Sequence, residues 1–160
     1  LFRDESYHYD LVRPGFSLYG GNPTPETKNP VRPVVNLSAR ILQIRECKSG
    51  DSIGYGASHV FDRPTSTATL ALGYADGFLR SASNKATLYW QGEACPVIGR
   101  VSMDLVTIDL SGITKQMPHE GDSIEILGPN QSVDDLATAA GTIGYEILTA
   151  LGPRYKRVYL

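Results

Sequence analysis

Apolar positions in this chain recur mostly at the spacing of strands. From Val34 to Cys47 the apolar residues Val35, Leu37, Ala39 and Ile41 alternate with polar ones, and Ile44 follows. Side chains of a strand point alternately to its two faces, so this pattern predicts a strand with one buried face. Lys48-Ser49-Gly50-Asp51 reads as a turn, delivering Ser52-Ile53 into the stretch Gly54-Tyr55-Gly56. Further strands are predicted at 67–72, 86–90, 93–98, 105–110 and 122–127. Gln91-Gly92 between two of them reads as a short hairpin turn. The period changes near Ser132. Ser132 with Asp135 at the third helical position is close to a capping box, Leu136, Ala137, Ala139 and Ala140 follow, and Gly141 ends the helix. A second helix is predicted over 142–151, weakened by Gly144. Residues 155–160, basic and aromatic, read as a final strand.

The amino-terminal stretch is less regular. Asp10 to Tyr19 is apolar but interrupted at Arg13-Pro14-Gly15, and proline cannot donate to a central ladder, so a strand is predicted to end near Arg13. Pro23, Pro25, Pro30 and Pro33, with Gly20-Gly21, make the next segment a connector and a candidate domain boundary. Strands dominate and two short helices lie near the end, which predicts a mainly β, barrel-like or Greek-key domain.

Composition narrows the function classes. The 160 residues are 41% hydrophobic and 20% charged, a globular composition with enough chain for a core. A net charge of −2 argues against nucleic acid or an anionic membrane as the main partner. No apolar run suits a transmembrane helix, and no secretory signal is visible. Cys47 and Cys95 lack metal-type spacing and are too few for a disulfide framework, so a reducing compartment and no bound metal are expected.

Three glycine-marked stretches, each beside an apolar run, carry the candidate chemistry: Gly54-Tyr55-Gly56, Gly73-Tyr74-Ala75-Asp76-Gly77 and Gly99-Arg100-Val101-Ser102-Met103-Asp104. Glycine lets the backbone bend where other residues clash, and a tyrosine between two glycines can present its phenol at the lip of a cleft. Each stretch alone would be an ordinary turn. Together they read as loops of one site carried on strands.

The ordered motifs LVRPGFSLYG, IGYGAS, LGYADGF and GRVSMD resemble the carboxy-terminal part of an alanine racemase, a family that uses pyridoxal phosphate. The resemblance covers essentially the whole chain. It implies that residues 1–20 are a remnant of a (β/α)8 barrel, its last strand and loop, with 21–32 a linker and 33–160 the β domain. On that reading Leu11, Val12, Phe16 and Leu18 face a barrel that lies outside this chain. The implied activity is interconversion of L- and D-alanine in the cytoplasm, feeding cell-wall synthesis, by a homodimer whose active sites are shared between subunits. None of Lys28, Lys48, Lys85, Lys115 and Lys156 matches the Schiff-base motif, so the chain alone is expected to be inactive.

The resemblance also assigns residues. Tyr55 is the catalytic base that takes the α-proton of L-alanine, with the family's lysine working on the opposite face. An ordinary tyrosine, of pKa about 10, is a weak base at neutral pH without a cationic neighbour. The family supplies a histidine backed by arginine, and His8, His59 and His119 match no such motif. Arg13 faces the pyridine nitrogen of the cofactor. A guanidinium only donates, which favours an unprotonated ring and a weaker electron sink. Gly15 and Phe16 offer main-chain N–H groups to the phosphate. The Met103 N–H contacts the substrate carboxylate, Asp104 supports its loop, and Tyr74, Arg80 and Arg100 line the substrate entrance. The family's phosphate-contacting tyrosine falls at Pro153, which has neither hydroxyl nor N–H; Tyr155 lies two residues on. Two rival readings remain: a broader amino-acid racemase of the same architecture, and a non-catalytic binding or interaction module on the same scaffold.

Overall fold

The computed structural model describes Phe2 and residues 4–159. Eight strands and two α-helices follow in chain order: β1 (Leu37–Cys47), β2 (Ser52–Ile53), β3 (His59–Val60), β4 (Thr65–Ala71), β5 (Thr87–Trp90), β6 (Glu93–Ile98), β7 (Leu105–Asp109), β8 (Ser123–Leu127), α1 (Val133–Ala140) and α2 (Gly144–Ala150). Six strands close into an antiparallel barrel in the order β1-β4-β7-β6-β5-β8, and β2 and β3 form a separate hairpin.

β1 makes closure possible. Its first half pairs with β8 and its second half with β4, and the register shifts between Ile41 and Gln43. An extra residue there bends the strand around the barrel's corner. It also puts Ile41 and Ile44 on one side although they are three apart: Ile41 is buried and Ile44 half-buried. The β5–β6 hairpin turns at Gln91 and Gly92, both with positive φ, as a two-residue primed turn requires.

Ile41, Leu70, Leu88, Ile108 and Ile124 fill the barrel with almost no exposure. The predicted capping box of α1 is formed. Ser132 Oγ accepts from Asp135 N–H at 3.1 Å, and Asp135 Oδ2 accepts from Ser132 N–H at 3.0 Å. α1 and α2 pack together and extend the barrel core through Leu136, Ala137 and Ile147.

Two predicted strands are absent. Residues 10–15 carry no strand; Phe16–Tyr19 is a short 3-10 helix. A strand needs a neighbour to bond to, and this chain offers none there. Residues 151–159 also carry no strand, because a closed barrel leaves no edge for another strand to join; Leu160 lies outside the described residues. Phe16 departs from expectation as well. Its ring is buried in this domain, stacked on Tyr145 at a centroid distance of 4.5 Å, while Leu11, Val12 and Leu18 are exposed. Gly21 and Gly144 admit it, since a Cβ added at the first would lie 2.0 Å, and at the second 2.2 Å, from Phe16 Cζ.

Candidate functional site

The three glycine-marked stretches meet around the segment Gly99–Asp104. β4 ends and β7 begins at one rim of the barrel, where Ala71 pairs with Leu105. The loop after β4 therefore lies against the loop before β7. Tyr74 N–H donates to Ser102 O and Ala75 N–H to Met103 O, each at 3.0 Å. Gly73 permits this approach, because a Cβ there would stand 2.2 Å from Met103 O. On the other side, the β2–β3 loop rests on the same segment. Arg100 N–H donates to Ser58 Oγ at 3.1 Å, and a Cβ at Gly54 would lie 2.9 Å from Arg100 N. The 3-10 turn Arg80–Ala82 adds a third support through Asn84 Oδ1, which accepts from Gly99 N–H at 2.7 Å, and Ser83 Oγ, which accepts from Val101 N–H at 2.9 Å.

Tyr55, Tyr74, Arg80, Arg100, Met103 and Asp104 thus belong to one loop cluster. Their side chains are exposed, Tyr55 at 61% and Met103 at 51%. Ser102 makes the tip tight: its N–H donates to Leu105 O, and its Oγ accepts from Leu105 N–H, both at 3.0 Å. The Met103 N–H meets no acceptor among the described residues. A main-chain donor held at a rigid turn and left open is suited to a carboxylate.

Arg13, Gly15 and Phe16 lie elsewhere, along a cleft of about 370 Å³ that Tyr145 also lines. They and Tyr55 share no hydrogen bond among the described residues. The Tyr145 hydroxyl touches the Gly15–Phe16 turn, accepting from Phe16 N–H at 3.1 Å. His59 packs edge-on against Phe61, and His119 lies beside Asp122 at 3.7 Å. Among the described residues no cluster of His, Cys, Asp or Glu could hold a metal ion.

Arg154, which the sequence pattern did not single out, joins two of the loops. Its Nη1 lies 2.8 Å from Asp104 Oδ1 and its Nε 3.1 Å from Asp76 Oδ1. Those carboxylates, the Asp104 hydrogen bond first, push the guanidinium pKa up. Asp76 is buried, and its Oδ2 accepts from Gly73 N–H at 2.8 Å. Burial, with Asp76 nearby, raises the Tyr155 phenol, whose hydroxyl has no protein partner among the described residues. No sequence signal points to Arg154, because its partners are 78 and 50 residues away in the chain.

The family model for the alanine racemase C-terminal domain matches residues 34–159. An alanine racemase of Acidiphilium cryptum is 52% identical over 158 residues, covering 99% of this chain and 44% of that protein. A catabolic alanine racemase of Mesorhizobium japonicum is 51% identical over 160 residues, covering 100% of this chain and 42% of that protein. The crystal structure of alanine racemase from Bartonella henselae with covalently bound pyridoxal phosphate superposes with a TM-score of 0.93 at 41% identity, covering 99% of this chain and 44% of that one. This chain therefore spans less than half the length of those relatives. With this barrel, these loops and these relatives, the chain belongs to the alanine racemase family and corresponds to its carboxy-terminal domain.

Proposed function

We propose that this chain is the carboxy-terminal part of a pyridoxal phosphate-dependent racemase that interconverts L- and D-alanine, and that it is inactive without the amino-terminal part. The observation that carries the reading is the convergence of Tyr55, Arg100 and Met103 on one loop cluster, exposed and backed by main-chain hydrogen bonds. Exposed tyrosine and methionine on rigid loops suit a surface that completes a site on another subunit.

Of the residues along the 370 Å³ cleft, Arg13 and Gly15 fit the cofactor, while the Phe16 N–H already donates to Tyr145 Oη. Arg13 is a donor that stays charged, and the Gly15 backbone can approach an anion closely. Both belong to the cleft lining, so they would hold the ring and the phosphate. Pyridoxal phosphate, when bound, supplies the electron sink that makes the α-proton of alanine removable.

The proton for the opposite face comes from the lysine of the amino-terminal part, and this chain's own residues serve the other face. Tyr55 Oη takes the α-proton from one face of the substrate and returns it in the reverse direction. The Met103 N–H holds the substrate carboxylate, fixing which face meets Tyr55. Arg80 and Arg100 attract the carboxylate at the entrance, and Tyr74 narrows it. Arg13 and Tyr55 serve different active sites of a head-to-tail homodimer, each β domain offering its tyrosine to the partner. The cytoplasm is the compartment this reading assigns. Cys47 and Cys95 are both free and buried, and no helix among the described residues is long and apolar enough to cross a membrane.

Complementation tests the reading in an enzyme of full family length. Tyr55→Phe subunits are mixed with subunits lacking the cofactor-binding lysine. Each parent is expected to be nearly inactive, and the heterodimer is expected to recover one competent site. Proven heterodimers without recovered activity would overturn the shared site.

A further inference from the structure

We propose that Arg154 is a positioning residue that locks the Tyr74 loop to the Met103 loop and so sets the direction of the Met103 N–H. This rests on the reading that the Met103 N–H meets the substrate carboxylate.

The geometry begins with one peptide plane. The Ser102 carbonyl and the Met103 N–H belong to the same trans peptide and point in opposite directions. Tyr74 N–H holds Ser102 O at 3.0 Å. Whatever fixes the Tyr74 loop therefore aims the Met103 N–H. That loop is fixed by Asp76. One carboxylate oxygen caps Gly73 N–H at 2.8 Å, and the other faces Arg154 Nε at 3.1 Å. The far side of Met103 is held by the same guanidinium, through Asp104 Oδ1 at 2.8 Å. Arg154 thus grips both loops with two different nitrogens.

Without that cation, Asp76 would keep a buried oxygen with no cationic partner, and a second carboxylate would stand nearby. Like charges repel, and desolvation strengthens the effect. Repulsion would act between the two loops whose separation orients the N–H. The guanidinium is half exposed, so its ion pairs contribute little to global stability. Its effect is on local geometry. The backbone behind it is equally committed: a Cβ at Gly77 would lie 2.1 Å from Ala150 O, so the end of α2 delivers Arg154 directly onto the Tyr74 loop. A lysine would replace it only in part, since an ammonium is a point charge without a fork.

The test uses the full-length enzyme. In Arg154→Met, KM for alanine is expected to rise about tenfold or more while kcat falls less, because an interaction made by both ground and transition states is misplaced. Arg154→Lys should fall between wild type and Arg154→Met. Amide hydrogen exchange should accelerate in residues 73–77 and 102–105, with the barrel strands unaffected. An unchanged KM with unchanged exchange in Arg154→Met would overturn the proposal, as would a fall in thermal stability with no change in KM. Should Arg154→Met not fold, Asp104→Ala removes one grip, keeps Asp76 paired, and is read by the same two measurements. Met103→Pro, which deletes the N–H, separates the two levels. If it leaves KM unchanged, the Met103 reading fails and the proposal with it. If it raises KM while Arg154→Met does not, the positioning role alone fails.

Discussion

Gly73 has an extended backbone, with φ −162°, that any residue can adopt. Its constraint is contact alone: a Cβ would lie 2.2 Å from Met103 O and 2.5 Å from Asp104 N. Neither atom can yield without moving the loop. Gly73→Ala is expected to cost about 1–3 kcal/mol of stability by overpacking. In the full-length enzyme it should also raise KM by parting the loops. Urea denaturation and steady-state kinetics check the two effects, and a neutral substitution would show that the loops are not tightly apposed. Gly50 offers a contrast. It has φ +89° and open space around it. An alanine there meets strain but no clash. The sequence shows a glycine at a turn in both places, and only the packing separates the two causes.

Among the elements, α1 depends most visibly on a single side chain. Ser132→Ala removes the acceptor for Asp135 N–H and loosens the reciprocal bond. A cost of about 1 kcal/mol is expected for losing such a cap. A lowered denaturation midpoint with an unchanged slope would match this, and no change would mean that the helix is held by packing alone. The strands β5 to β8 were legible because each buries one face, whereas β4 buries Thr65 and Thr67 on one face and Ala68 and Leu70 on the other. β3 was not, since two residues carry no period. The sequence could not show the pairing of Asp134 with the connector either, where its Oδ2 accepts from Asn22 N–H at 2.8 Å. That bond joins residues 112 apart.

For the whole molecule, burial has a consequence at high pH. Cys95 sits in the barrel with no exposed surface, and burial pushes its thiol up to about 11 from 9.0. The folded chain keeps this proton after the unfolded chain has lost it. The resulting stability is present below pH 9 and is lost as pH rises from 9 to about 11. Tyr155, raised mainly by burial, acts in the same direction from about pH 10 upward. The denaturation midpoint is expected to fall across that window. Cys95→Ala should flatten the fall in part, whatever the cavity does to the absolute midpoint. A pH profile identical to wild type would remove Cys95 as a contributor.

The sequence by itself determined the β class, the hairpin at Gln91-Gly92, the cap of α1 and the three loops that carry Tyr55, Tyr74 and Met103. These depend on local spacing: period two for a half-buried strand, glycine where the chain turns, serine with an acid three residues on. Tertiary structure decided closure of the barrel, the bend of β1 at Ile41–Gln43, the place of Phe16 in the core and the grip of Arg154 on Asp76 and Asp104. It also decided where strands cannot form, because residues 10–15 and 151–159 find no unpaired neighbour. Each of these is a contact between distant parts of the chain. Local pattern states which face of an element is apolar; only the assembled barrel states what that face meets.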